Sequence, residues 1–376
     1  MTTRSSKQLL CIAALAWLLG QQGVFGLLSF DGTRNQVFVF GNVIFGYDSN
    51  IFSDNSGRDD FNITGRAGME YKRRAGIIAV DFNAHVDSIR FQDFSGQDAV
   101  NPNFSLQLEK TTGRTTGAFN ISAYRSSQAD AAVNIRTNSW NYPMTLLLKY
   151  PVNERYYLTS DTGYNAHHYI DNDQLLDYRE WSEDVNLFYI YTSKLDLSVG
   201  YRLRYGETSE GRTIDNNFTV GATGGLLPKL NGSVRFGYQV RNDDVTHQSY
   251  DSGSALVQLT WTSTRKFTMD LLLSSDFNTA ATGVTVDTIS ATVTGNYTFT
   301  RRFQGDVSVG FGRNHYVSEP PPQREDTYTT FNIGAIYTVN EHLKFTAGYT
   351  YFKNSSTLAT ADYDRDVLTL DISSRF

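Results

Sequence analysis

The sequence predicts an all-β chain, a transmembrane antiparallel up-and-down β-barrel of about 18 strands, with 16 as the alternative count. Three observations predict it: long runs in which apolar and polar residues alternate, connections that are short and long by turns, and an aromatic residue at the end of the last run.

The alternation is clearest where Leu195, Leu197, Val199, Tyr201, Leu203 and Tyr205 are interleaved with Asp196, Ser198, Gly200, Arg202 and Arg204. Val293 and Tyr297 stand likewise against Ser290, Thr292, Thr294 and Asn296. Phe345, Ala347, Tyr349 and Tyr351 stand against Lys344, Thr346, Gly348 and Thr350. Successive strand side chains point to opposite faces, so each run is a two-faced ribbon. A sandwich with one wet face would show the same period. The runs, however, reach roughly 10 residues, the length of a tilted bilayer crossing. Aromatics also gather in pairs such as Tyr189/Tyr191 and Tyr297/Phe299, as interfacial girdles do.

Short connections are expected at Lys72–Arg74, Thr112–Arg114, Pro151–Glu154, Thr192–Lys194, Leu227–Lys229, Thr262–Arg265, Thr300–Arg302 and Val339–Glu341. Longer polar stretches lie between them, among them Tyr47–Asp60, Gln92–Asn101, Asp171–Tyr178, Asn242–Asp251 and Val317–Asp326. Eight turns and nine loops make 18 strands with both termini on the turn side, which in such barrels is periplasmic. Pro102, Pro151, Pro228 and Pro320 to Pro322 are expected in connections, and Pro143 at a strand start, where no ladder N–H is lost. Residues 101–150 are the least clearly phased.

Residues 1–26 read as a cleaved export signal: Arg4 and Lys7, then an uncharged apolar run from Leu9 to Leu19, then Val24-Phe25-Gly26 at the cut. That run is too short to span a bilayer as a helix. The barrel is then 27–376. Cys11, the one cysteine, leaves with the signal, which removes disulfides, thiol nucleophiles and cysteine metal sites from consideration. Losing Arg4 and Lys7 takes 33 basic residues to 31 against 39 acidic, a net charge of −8. An acidic chain without a Lys/Arg cluster argues against nucleic acid as a partner. Mean hydropathy is negative while aromatics make up 14%, as expected when half of each strand faces lipid and half faces water.

One stretch resembles a known family. Gly46-Tyr47-Asp48-Ser49-Asn50-Ile51-Phe52, then Asp59-Asp60-Phe61, then Gly65 and Tyr71 before Arg73-Arg74, is similar to the first two hairpins of the putative β-barrel porin 2 family. The resemblance covers roughly the first fifth of the mature chain, and it implies an outer-membrane pore or export role, often associated with exopolysaccharide, with no catalytic residues. Physically, Asp48 and Asn50 suit an Asx-type turn at the outer end of the first strand. Leu368, Leu370 and Ile372 alternate toward Phe376, which resembles the assembly signal read by the barrel insertion machinery, although Ser374 departs from it.

Candidate chemistry is sparse. His167-His168 near Asp171 and Asp173 could meet a divalent cation only if the strand has ended, because adjacent strand residues diverge. A serine hydrolase would need a base and an orienting group, and no local nucleophile signature is present. No catalytic, cofactor or metal residues are assigned, and no cofactor is expected. The positive signal is the polar face. Asp81, His85, Asp196, Asp270 and Asp306 are expected to line a lumen, as are Arg202, Arg204, Arg235 and Arg241, which are candidates for setting ion selectivity. The expected function is passive passage of small solutes or saccharides, including exported polysaccharide, with outer-membrane lipid around the barrel and a homo-oligomer open. An adhesive barrel, an enzyme barrel working through His167 or His315, and a soluble sandwich are the competing readings.

Overall fold

The computed structural model describes residues 28–30, 34–74, 76–130, 133–170, 172 and 175–376. The expected export signal, with Cys11, lies outside them, as do Asp171 and Asp173.

A short strand, β1 (Leu28–Phe30), lies along the start of β2 (Asn35–Asp48). The chain then runs up and down through β3 (Asp60–Arg73), β4 (Ala79–Phe91), β5 (Ala99–Lys110) and β6 (Thr116–Asp130). Next come β7 (Ile135–Asn141), β8 (Met144–Pro151), β9 (Tyr156–Ile170), β10 (Tyr178–Ile190), β11 (Leu195–Glu207) and β12 (Arg212–Leu227). The last part holds β13 (Leu230–Asp243), β14 (Gln248–Thr262), β15 (Phe267–Thr279) and β16 (Thr285–Thr298). It finishes with β17 (Phe303–Tyr316), β18 (Glu325–Thr338), β19 (Leu343–Ser356) and β20 (Tyr363–Arg375).

Apart from β7 and β8, each strand pairs antiparallel with the next, and β20 returns to pair with β2, which closes the sheet. β7 and β8 are two halves of one wall strand: both pair with β6 on one side and β9 on the other. The break between them is Pro143, which has no N–H to give the ladder. With β1 outside the ring, 18 strands make the wall, and 16 is excluded. Pro102 departs from expectation. It sits inside β5, opposite Val86, where pairing with β6 has not yet begun; that ladder starts at Asn103. Its missing N–H therefore faces a locally free edge, the one place a strand tolerates proline. Two loops are shorter than expected, since β5 already begins at Ala99 and β14 at Gln248.

Five of the eight turns share a device. The side-chain oxygen of Asn153, Thr192, Thr264, Thr300 or Asn340 accepts backbone N–H groups two and three residues on, at 2.8–3.2 Å. Such Asx and ST bonds satisfy N–H groups that the ladder cannot reach.

The two faces of the wall are inverted relative to a soluble sheet. Phe218 and Val220 are 62% and 61% exposed, while Asn217, on the opposite face of the same strand, is buried. Large apolar residues are exposed in the same alternating fashion on strand after strand. A sandwich would bury this set, so the exposed band is the lipid-facing surface of a membrane barrel. Neighbouring rings such as Tyr201 and Phe218, 4.8 Å apart, add about 0.5–1.5 kcal/mol per pair.

Candidate functional site: a constricted lumen

Strands β11 and β15 are four steps apart in the wall, roughly 19 Å at the usual strand spacing. Even so, Arg202 Nη2 donates to Asp276 Oδ1 at 2.7 Å, and Arg204 Nη2 to the same oxygen at 3.2 Å. Such contacts are possible only across the interior. Residues opposed in a ladder share a face, so Asn217 opposite Arg202 is lumenal too, as are Asp215 opposite Arg204 and Arg241 opposite Asp215.

These groups form a clamp. Asp215, almost fully buried, accepts Arg241 Nε and Nη2 at 2.6 and 2.7 Å and Arg204 Nε at 2.5 Å. The guanidinium groups then donate to backbone carbonyls of β15, Arg204 to Phe277 at 2.6 Å and Arg241 to Asn278 at 2.9 Å. The ladder between β14 and β15 ends at Ala255 opposite Ser275, so those carbonyls have no partner on β14. The arginines take the place of the missing ladder and draw the β15–β16 hairpin toward the lumen. Beyond it, Leu176 N–H from the β9–β10 loop donates to Ala281 O at 2.8 Å.

Of the four candidate arginines, Arg204 and Arg241 are thus sealed into this clamp, at 7% and 0% exposure. Arg202 and Arg235 keep about a quarter of their side chains open, and Arg235 meets Asp184 of β10 across the lumen at 3.2 Å. The candidate acids lie at the other end, close to the short turns. Asp196 accepts the Tyr157 hydroxyl at 2.7 Å, and Asp270 accepts Thr260 Oγ1 and Asn296 Nδ2 at 2.6 and 2.9 Å. Asp306 lies over Gly334, where a Cβ would collide with its carboxylate. Asp81 is held by Arg74 at 2.8 Å, and His85 Nδ1 meets Asn83 Oδ1 at 2.8 Å beside the Phe40 ring. His167 packs on Tyr169 while His168 turns to Asp177, so the pair diverges. Sequence reasoning missed Asp184, Asp215 and Asp276. All three stand in the polar phase of their strands, which was the available signal.

Below the hairpin a cavity of about 750 Å³ lies against β12 to β16, bordered by Ser233, Gln258, Asp270 and Thr292. It opens where Gly224 and Gly232 face each other with φ of 123° and 150°. A Cβ at either would strike the carbonyl of Lys194 or Gln258, so only glycine allows this wall to bend.

Residues 214–376 match the family model described as Putative beta-barrel porin 2. The match runs from β12 to the closing strand, at the opposite end of the chain from the motif that resembles the same family. No curated protein matches the chain. Among solved structures, Pseudomonas aeruginosa OccK5 (OpdH) is 10% identical with a TM-score of 0.52, over 92% of this chain and 98% of that one. Acinetobacter baumannii OccAB4 is 13% identical with a TM-score of 0.50, over 90% and 98%. Pseudomonas aeruginosa OpdK, solved with vanillate, is 11% identical with a TM-score of 0.50, over 90% and 99%. At such identities the likeness is one of fold.

The residues resembling the porin 2 family at the N-terminal end build a second inward element. Asp48 accepts Arg365 Nε and Nη2 at 2.9 and 2.6 Å and the Asn50 N–H at 3.0 Å, the last being the expected Asx turn. The loop then turns inward and fully buries Ile51. Across the mouth, five wall strands away, Arg136 Nη1 donates to Ile51 O at 3.2 Å, and Asn134 Nδ2 to Ser53 O at 2.8 Å. The porin-like motif is therefore the root of a loop that narrows the lumen. At the closing seam Phe376 exchanges backbone hydrogen bonds with Val39, and its ring stacks on His342 at 5.0 Å.

Proposed function

We propose that this chain is a passive outer-membrane channel for small polar solutes, saccharides among them, with polysaccharide export as a use of the same lumen. The observation that carries this reading is a closed wall whose polar interior is narrowed by two inward segments and still holds a cavity of about 750 Å³. Barrels of 16–18 strands enclose an aqueous path, and charged groups at its narrow points select among solutes. The fold shared with OpdK, solved with vanillate, supports the same reading. Passive diffusion calls for no cofactor and no catalytic centre.

The test is single-channel conductance of the refolded protein in a planar bilayer, with and without a neutral oligosaccharide. Discrete steps establish the pore, and sugar-dependent interruptions establish saccharide entry. Silence from a heat-modifiable, correctly folded barrel sinks the proposal.

A further inference from the structure

The two ends of the barrel carry opposite charge. The long loops hold Asp54, Asp93, Asp98, Glu210, Asp244 and Glu319 against few cations. The first seven short turns each expose a lysine or arginine: Arg74, Arg114, Arg155, Lys194, Lys229, Lys266 and Arg302, in that order. The eighth, at His342, is followed at once by the exposed Lys344. Only Glu154 and Glu341 stand against them on these turns. Some of the cations lie at the lower aromatic girdle of the lipid-facing surface. Arg114 sits over the Tyr150 ring at 4.7 Å, and Lys266 Nζ lies 3.3 Å from the carbonyl of Phe299, which is exposed on that surface.

We infer that this collar binds the phosphates of anionic phospholipid headgroups in the periplasmic leaflet. The inference rests on the membrane reading of the barrel but not on conductance. Its spacing decides the occupant. The turns recur every second strand around the whole circumference, so a docked protein would meet one sector, whereas a leaflet meets all eight. A soluble polyanion is disfavoured by what lies just inside the collar, since Asp196, Asp270 and Asp306 would repel it from the mouth. Lysine and arginine at a headgroup surface each favour anionic lipid, and long cationic side chains place their charge at that depth while their stems lie along apolar surface.

The test uses the full barrel reconstituted in phosphatidylcholine vesicles containing about a quarter phosphatidylglycerol, with mass spectrometry of the lipid retained after gentle extraction. Wild type is compared with a variant carrying R114Q, K194Q, K229Q, K266Q and R302Q, all on turns and away from the lumen. Heat-modifiability confirms folding of each, and R114K with K266R should rescue. The expected result is phosphatidylglycerol enrichment in wild type that falls several-fold in the variant, up to roughly fivefold per lost contact, and weakens with salt. Equal enrichment in both, or none in wild type, overturns the inference. So does capture of a soluble anionic polysaccharide by wild type in pure phosphatidylcholine with no lipid preference. Conductance recorded on the same samples keeps the channel reading separate, because either can fail while the other stands.

Discussion

Asp215 is shared by two arginines, and Arg241 donates to that carboxylate, to the Asn278 carbonyl and to the Thr279 hydroxyl of β15. Removing one partner of a buried ion pair leaves an uncompensated charge and costs about 3–5 kcal/mol. Arg241→Met leaves Asp215 with Arg204, so it is expected to lower unfolding stability by less than that full cost and to loosen the β15–β16 hairpin, which a larger and noisier conductance step would report. Arg235→Ser should act differently. Its side chain is part open to the lumen and pairs with Asp184, so its loss exposes a carboxylate and should move the reversal potential toward cation preference. An unchanged reversal potential would remove Arg235 from selectivity. The alternation along β11 and β13 made the lumenal phase of these arginines legible in the sequence. Their unequal burial was not, because Asp276 and the carbonyl of Phe277 are brought to them only by ring closure and by the ladder break after Ala255.

The inward loop between β2 and β3 is an element whose hold depends on pH. Partial burial works against ionisation of Asp54, yet the Ser56 hydroxyl and amide and the Arg58 guanidinium outweigh it and keep this carboxyl below its ordinary value. A group whose pKa is lowered by folding stabilises fully above its unfolded value, near ~4 for aspartate, and that contribution is lost as pH falls through the lower folded value. Hydrogen exchange of residues 50–58, corrected for the intrinsic pH dependence of amide exchange, should thus be unchanged from neutral pH to about pH 5 and quicken only in stronger acid. Asp54→Asn should abolish that acid limb, and quickening already at pH 6 would contradict the assignment. The turns were readable because Thr-x-Lys and Asn-x-His spacings satisfy their own N–H groups locally. The inward fold of this loop was not readable, since it depends on Arg136 and Arg365, distant in sequence. Pro102 was misplaced for a related reason: a proline is tolerated inside β5 because the β5–β6 ladder has not yet begun there.

At the scale of the whole molecule, eight turns and nine loops were enough to count the wall, because a period of two and punctuation between runs survive without tertiary information. The width of the path is a different matter. It is set by two segments held to different walls, the 49–59 loop by β7 and β20, and the β15–β16 hairpin by β11 and β13. The clamp and the loop share none of these side-chain partners, so their effects on stability should add, as they do for distant sites. Replacing 51–58 with a short glycine-serine turn should raise conductance, Arg241→Met should raise it separately, and the double variant should exceed both. The reason is serial resistance: while either segment remains, part of the path stays narrow. If the shortened loop alone already gives the conductance of the double variant, the hairpin does not limit the pore, and the clamp serves the wall rather than the passage.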